Sequence, residues 1–445
     1  MPTREQEIPL YADLQQTEED AVYRKVSWRL LPFLGALWIL AWIDRVNIGF
    51  AKLQMLDDLK FSEAVYGLGA GIFFLGYFLF EVPSNALLQK IGARKTVMRI
   101  TIGWGVICML QAFVSTPTQF YILRFLLGAF EAGFYPGMIL YLTYWYPSKR
   151  RAKAFGTFMS ASALAGVLGG PIAGWIMTSM AGVDGLHGWQ WLFILEGMPS
   201  VLAGVAAYFY MTDKPEHARW LDQHERRVIQ DALDRDNQEM GERGSDWRSL
   251  FWNSKVWLLI AIFFCLLCAN STLTFWIPTI IKETGFASPM AVGWIAAAVY
   301  LCGAAGMILN GAHSDKHREV RWHFSGAALC GALAMGVLAI LLASPGSTPI
   351  VPLLAMGVAL VGTMSAIPVF WQLPNRYLAG GAAAIGVALI NSVSNLAGFG
   401  APYLMGVIKN ATGQISPGLY VVAVVEAIAA ILVLRCIART SKMEE

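Results

Sequence analysis

The sequence predicts an all-α membrane protein of twelve transmembrane helices, arranged as two pseudo-repeated six-helix bundles. Three observations carry this. Apolar residues fall into twelve runs of about 20, the length that crosses a hydrocarbon core roughly 30 Å thick. Charge is scarce and sits almost wholly in the connections. Of the 445 residues 56% are hydrophobic and 14% charged, with mean hydropathy +0.52, where a soluble domain carries about 25% charged residues. Finally, a short motif after the second run is echoed after the eighth, at the equivalent place in the other half.

In lipid each run must be a helix, because every backbone donor and acceptor needs a partner within its own segment. The first run, 31–50, follows a polar N-terminal tail of mixed charge, 1–30. That tail has no short apolar core behind a basic start and no small-residue cleavage site, so the run is expected to be a retained span. Runs 65–87, 98–114, 119–142, 154–178 and 190–210 complete a first bundle, 31–211. The fifth carries Gly166, Gly170 and Gly174, a four-residue spacing that lets two helices approach closely. A polar linker follows, 212–253; its stretch 218–236 has helical composition and is expected to lie solvated along the membrane surface. Runs 254–276, 289–311, 324–343, 350–371, 378–405 and 417–437 form the second bundle, 254–437, ahead of a short tail, 438–445.

The echoed motif reads NALLQKIGARK in the first half, with Gln89, Lys90 and Arg94, and GAHSDKHREVR in the second, with Asp315, Lys316 and Arg321. Each is a small or polar residue, an acid or amide four positions later, then a base. These six residues are the expected conformational-gate loops. Two halves related by repeat place a substrate site between them, near the midplane.

Lysine and arginine set the orientation. With both termini cytoplasmic, 27 of the 33 lie on the cytoplasmic side, four (Lys52, Lys60, Lys282, Lys409) outside, and two within the membrane. A net charge of only +3 gives no case for a nucleic-acid partner. The six cysteines lie in or beside apolar runs, and Cys265 and Cys268, although a CxxC, sit in a spanning helix without a second ligand pair; packing is the expected role. The histidines are scattered, so no metal site is expected, and no cofactor-binding loop or catalytic motif is present to suggest an enzyme.

Four charges stand where charge is costly: Asp44 and Arg45 in the first run, Arg124 and Glu131 in the fourth. A charged side chain at the bilayer centre costs about 2.5–3.5 kcal/mol on insertion scales. Such residues persist where they face each other or a water-filled path, as in a carrier with a charged central site. Arg45 presents a planar fork that matches a carboxylate; a structural ion pair is its competing role. Glu131 lies two turns after Arg124 on the same face. Asp44 and Arg45, about 100° apart around the helix, need different partners, so Asp44 is expected to pair with Arg124. No other acid is placed clearly at mid-depth; Glu81 and Glu196 read as structural or gating residues. Trp42, Tyr77, Asn270, Trp371, Asn391 and Asn395 are candidate walls of a mostly apolar pocket.

Five strings narrow the reading: IDRVNIGFA (43–51), FEVPSNALLQKIGAR (80–94), RFLLGAFEAGFYPG (124–137), YWYPSKRRAKA (144–154) and GWQWLFILEG (188–197). With them the chain resembles, over essentially its whole length, the anion:cation symporter branch of the major facilitator superfamily, close to tartrate, phthalate and hydroxyphenylacetate permeases. The gate loops are similar to that superfamily's Gly-x-x-x-Asp-Arg-x-Gly-Arg-Arg, the first copy departing with Asn85 and Gln89. The resemblance implies that Arg45 receives the substrate carboxylate, that Asp44 and Glu131 serve proton coupling, and that Tyr77, Trp371 and Asn391 contact substrate. Trp42 stands where sugar-acid carriers of the branch have tyrosine, which leans towards a flat aromatic acid.

The expectation is therefore a proton-coupled symporter importing a small organic carboxylate, an aromatic acid or a hydroxydicarboxylate such as tartrate, with organic-anion exchange or sugar-acid symport as alternatives. Substrate-binding residues are Arg45, Trp42, Tyr77, Trp371 and Asn391; proton-coupling residues are Glu131, Asp44 and Arg124. The partners are the anion, protons and membrane lipid. A monomer in a bacterial inner membrane is expected, with no cofactor.

Overall fold

A computed structural model describes residues 4–240, 250–344, 348–377 and 382–437. The tail 438–445 and linker residues 241–249, Arg243 and Arg248 among them, lie outside the described residues. Twelve helical segments are long and apolar enough to cross a membrane, and the described residues contain no strand. In the first half these are α1 (Arg4–Leu59), α2 (Glu63–Ile91), α3 (Ala93–Leu110), α4 (Pro117–Glu131) with α5 (Phe134–Thr143), α6 (Ser148–Ser179) and α7 (Gly188–Tyr210). A linker helix, α8 (Gln223–Met240), follows. The second half holds α9 (Ser254–Glu283), α10 (Pro289–His317), α11 (Arg321–Ala343), α12 (Ile350–Phe370), the short α13 (Pro374–Tyr377), α14 (Ala382–Ser394) with α15 (Ala397–Thr412), and α16 (Ser416–Cys436). Twelve crossings bring the chain back to its starting side, the terminal face; the opposite side is the far face.

Helix boundaries follow the apolar runs closely except at the start. α1 has 56 residues, roughly 80 Å at 1.5 Å per residue, so its first half extends well past a bilayer. The sequence read that stretch as a tail because hydropathy registers only the part that meets lipid. Ion pairs hold the polar part. Lys25 pairs with Glu225 at 2.7 Å, Arg150 with Asp20 at 2.5 Å, Glu18 with His224 and Glu19 with Arg235. The linker helix α8 is thus docked against α1 and buries Ile229 and Ala232, where a solvated stretch was expected.

Two spans are broken at mid-membrane. The fourth stops at Glu131 and restarts at Phe134. Pro136 has no N–H to offer Ala132, so the α4 ladder cannot continue through it. The freed groups close locally: Gly133 N–H donates to the Glu131 carbonyl at 3.1 Å and Gly137 N–H to the Gly133 carbonyl at 2.9 Å. The eleventh span breaks between Ser394 and Ala397, beside Asn395. Broken helices are tolerated at membrane depth only where the irregular backbone is buried or lines a cavity.

The halves meet along three helix pairs, α6 with α10, α2 with α15 and α1 with α9. Small residues permit backbone contact at the first two. A methyl carbon added at Gly174 would stand 2.6 Å from the Pro289 carbonyl oxygen, and one at Gly67 would stand 2.5 Å from that of Pro402. The Gly166–Gly174 stripe therefore marks the interface between halves.

Charge closes the far face. Glu63 of α2 pairs with Lys52 of α1 at 2.7 Å and with Lys409 of α15 at 2.9 Å, while Lys409 also reaches Glu283 of α9 at 2.6 Å. The Lys52 ammonium lies 3.5 Å from the centre of the Trp276 ring. Tyr66 donates to the Phe275 carbonyl at 2.6 Å and Lys282 to the Leu53 carbonyl at 3.1 Å, both across the halves. At the terminal face a cavity of about 1490 Å³ instead opens between α1, α6 and α10.

Glu63→Gln strands the buried Lys52 ammonium and removes one of the two carboxylates on Lys409. Breaking a buried pair costs about 3–5 kcal/mol and an exposed pair about 0–1. With Glu63 24% exposed, an intermediate loss, about 2–3 kcal/mol, is expected for far-face closure. Hydrogen–deuterium exchange at the far ends of α2 and α15 should accelerate; exchange equal to wild type would refute the latch.

Candidate functional site

Between the halves lies a cavity of about 190 Å³. α1 supplies Trp38, Trp42 and Arg45, α2 supplies Phe74 and Tyr77, and the start of α5 supplies Tyr135. From the second half come Asn270 and Thr274 of α9, Trp371 at the end of α12, and Asn391 and Asn395 at the break of the eleventh span. All five residues expected to bind substrate thus share one wall system.

Arg45 faces the cavity with its side chain 14% exposed, and Glu131 sits behind it at 1%. The guanidinium gives two hydrogen bonds to one oxygen of Glu131, that from Nε at 2.9 Å, and the second oxygen has no hydrogen-bond partner. Rings surround the cation: Phe73, Tyr77, Trp42 and Trp38 have centroids 5.2, 5.4, 5.7 and 6.0 Å from its central carbon. Their faces favour a cation. Because α4 ends at Glu131, the carboxylate occupies the break itself rather than a continuous helix wall.

The expected Asp44–Arg124 pair does not form. Asp44, fully buried, accepts from Ser200 of α7 at 2.5 Å and from the Cys108 thiol of α3 at 3.2 Å. Arg124, also fully buried, donates from Nε to the Gly69 carbonyl at 3.1 Å, with its two terminal nitrogens unpartnered. The 100° step between Asp44 and Arg45 turns the acid into the first bundle, towards α3 and α7, while Arg124 turns towards α2. Nor are the first four charges the whole set at depth. Glu196 is 5% exposed, and Glu426 of α16 is fully buried, held by Thr363 at 2.7 Å. Glu426 was legible as an acid in the middle of the last apolar run.

The gate-loop residues lie away from the cavity. Arg94 N–H donates to Asp213 at 2.8 Å and its guanidinium covers Tyr208; Gln372 donates to Asp315 at 2.8 Å; Arg321 donates to the Leu434 carbonyl. Gln89, Lys90 and Lys316 are exposed. Each loop braces its own half. Among the described residues, a side-chain hydrogen bond that does cross between halves on the terminal side of the cavity is Ser392 of α14 donating to Glu81 of α2 at 2.8 Å.

Residues 34–402 match the family described as the Major Facilitator Superfamily. The chain belongs to that superfamily. It is 44% identical over 403 residues to "Putative metabolite transport protein NicT" of Pseudomonas putida, covering 91% of each chain. It is likewise 44% identical over 416 residues to a "Putative tartrate transporter" of Agrobacterium vitis, covering 94% of each. Among solved structures, the inward-facing, unoccupied bacterial homologue of the human lysosomal transporter Spinster aligns with TM-score 0.78 at 16% identity, over 93% of this chain and 96% of that one. The protein is accordingly an integral membrane transporter of the superfamily rather than an enzyme, and the twelve-helix fold is that of the superfamily.

In this frame the Ser392–Glu81 bond lies where the halves of a superfamily transporter must part. Ser392→Ala removes one hydrogen bond to a carboxylate, about 1.5–3 kcal/mol. It should raise the transport rate while leaving substrate affinity unchanged. A matched fall in affinity would place Ser392 in the binding site instead.

Proposed function

We propose that the protein is a proton-coupled symporter that imports a small organic carboxylate across a bacterial inner membrane, with both termini cytoplasmic. The observation that carries this is the Arg45–Glu131 pair in the cavity wall: an arginine facing the cavity whose one carboxylate partner among the described residues can be replaced by one brought from solution. The 27-to-4 placement of bases supports the orientation. The names of the relatives, a tartrate and a metabolite transporter, support the substrate class.

Size and lining narrow the substrate. Pockets that take drug-sized ligands measure about 300–1,000 Å³, and this cavity measures about 190 Å³. Rings line it from both halves, and the second half adds three amides, Asn270, Asn391 and Asn395. This suits a compact planar or hydroxylated acid, its carboxylate on Arg45 and its far end on the amides.

The coupling follows from charge balance. In the empty site Glu131 neutralises Arg45. An arriving carboxylate takes the guanidinium in bidentate fashion, and Glu131 is left without its cation in a site nearly free of water. A lone buried carboxylate is costly, so Glu131 takes a proton. The loaded site is neutral again, and the halves rock around it. Release on the cytoplasmic side returns Arg45 to Glu131 and frees the proton. Empty and doubly loaded forms carry little net buried charge, whereas singly loaded forms are penalised.

Arg45→Lys keeps the charge and loses the planar fork. Affinity for acids such as tartrate, phthalate or hydroxybenzoates should fall by about tenfold or more, about 1.4 kcal/mol per decade, in calorimetric titration of purified protein. Wild-type affinity in Arg45→Ala would remove the arginine from the site.

Glu131→Gln mimics the protonated acid. It should bind substrate and exchange it across proteoliposomes, yet lose accumulation driven by an imposed inward proton gradient. Gradient-driven accumulation that survives this substitution would place the coupling proton elsewhere. Counterflow without any net proton-driven uptake in wild type would make the protein an exchanger.

A further inference from the structure

The large cavity at the terminal face is sorted by depth, with charge at its mouth and apolar walls below. α1 brings Arg24 and Trp28 to the mouth, and α6 brings Lys149, Arg150 and Lys153. Asp20 is the one acid among the described lining residues, and it pairs with Arg150 at 2.5 Å. Arg150 also stands 3.9 Å from Glu19. Among the described residues neither Arg24 nor Lys153 makes an ion pair, and both are exposed. The mouth therefore carries a surplus of positive charge.

Below the mouth the character changes. On α6 the lining runs on through Thr157, Ser160 and Leu164, three or four residues apart and so on one helix face. From Lys153 to Leu164 this face covers about 16 Å at 1.5 Å per residue. The Thr157 hydroxyl donates to the Lys153 carbonyl at 3.0 Å and that of Ser160 to the Thr157 carbonyl at 2.7 Å, so both donors are spent on their own helix. α10 faces them with Leu301, Ala304, Ala305 and Ile308. Leu164, Leu301 and Ile308, with Trp28 above them, are each more than half exposed. A soluble acid would lose its water against such walls and find no donor in exchange. Exposed apolar surface rimmed by charge fits a molecule that is itself charged at one end and apolar at the other. Basic pockets between spanning helices hold phospholipid head groups in this way. Ammonium and guanidinium groups give charge-assisted hydrogen bonds to phosphate oxygens, and tryptophan is enriched at head-group level, where Trp28 stands. At about 1490 Å³ the cavity exceeds the about 300–1,000 Å³ of an ordinary small-molecule pocket, which leaves room for an acyl chain.

We infer that the crevice between α1, α6 and α10 binds an anionic phospholipid, its phosphate on Arg24, Lys149 and Lys153 and an acyl chain along the apolar walls. The chain ends where the halves touch, at Gly166, whose added methyl carbon would stand 2.9 Å from the Tyr300 ring. The crevice shares no lining residue with the Arg45 cavity. The site depends neither on proton coupling nor on the identity of the transported acid.

Native mass spectrometry of the purified full-length protein, offered phosphatidylglycerol and phosphatidylcholine of equal chain length, tests the site. Wild type should retain phosphatidylglycerol about tenfold better, the order that two or three bases near a membrane surface supply. Lys149→Gln combined with Lys153→Gln should bring the two lipids level. Ala305→Trp fills the apolar part and leaves every charge in place, so it should lower the retention of both lipids. Equal retention by wild type, a comparison that needs no variant to fold, overturns the inference. So does a preference that survives the double substitution. A preference lost in the double variant but untouched by Ala305→Trp would reduce the site to charge attraction at the surface and overturn it as well. Release of phosphatidylglycerol by free glycerol phosphate would reassign the basic mouth to a soluble anion.

Discussion

The centre of this protein depends on pairing the guanidinium that faces its cavity. The effective penalty for burying an ion is several kcal/mol even after relaxation, and Glu131 offsets it for Arg45 through two hydrogen bonds to one oxygen. That requirement shapes the surroundings. α4 must stop at Glu131 so that its last residue can meet α1, and Pro136 ensures that the stop occurs there. Four aromatic rings cover the sides of the cation that the carboxylate leaves open. The second half contributes neutral side chains to the cavity, amides, hydroxyls and apolar groups, so it can separate from the first without breaking an ion pair at the site.

Closure at the far face uses the opposite strategy. There the halves are joined by charges, with Glu63 shared between Lys52 of its own half and Lys409 of the other. A purely apolar seal would expose its whole area to water on opening, at about 25 cal/mol for each Å². Ion pairs near a surface behave differently. Once parted and hydrated, such groups lose little, since exposed pairs are worth only about 0–1 kcal/mol. The latch therefore specifies the closed geometry strongly while keeping the open state within reach. Backbone contact at the Gly67–Pro402 and Gly174–Pro289 crossings adds shape to charge, because no side chain there can interdigitate and resist sliding.

The twelve spans and the cavity residues were legible because both leave one-dimensional traces: apolar length for a span, a charge or amide inside it for a site. Arg45, Glu131, Tyr77, Trp371 and Asn391 converge as the sequence and its family resemblance indicate. What was not legible depends on rotation and on distant partners. Asp44 was assigned to Arg124 because two acids and two bases invite pairing, yet the turn of α1 aims Asp44 at Ser200, whose hydroxyl carries no charge to find in a sequence. The polar half of α1 was hidden because hydropathy is blind to a helix held by Glu225, Arg150 and Arg235, more than 100 residues away in the chain.

Asp44 and Arg45 are consecutive residues, and this adjacency ties the two charge clusters together. One points to a nest closed by α3 and α7, the other to a cavity shared with the second half. A helix is stiff along its axis and has few ways to move one of these residues without the other. When substrate draws Arg45 away from Glu131, any rotation of α1 that follows the guanidinium also changes how Asp44 sits against Ser200 and Cys108. Loading in the cavity can then be felt in a compartment that neither substrate nor bulk water touches. The hydrogen bonds of Asp44 and the ion pair of Arg45 are in this way two readings of a single coordinate, the angle of α1 within its bundle.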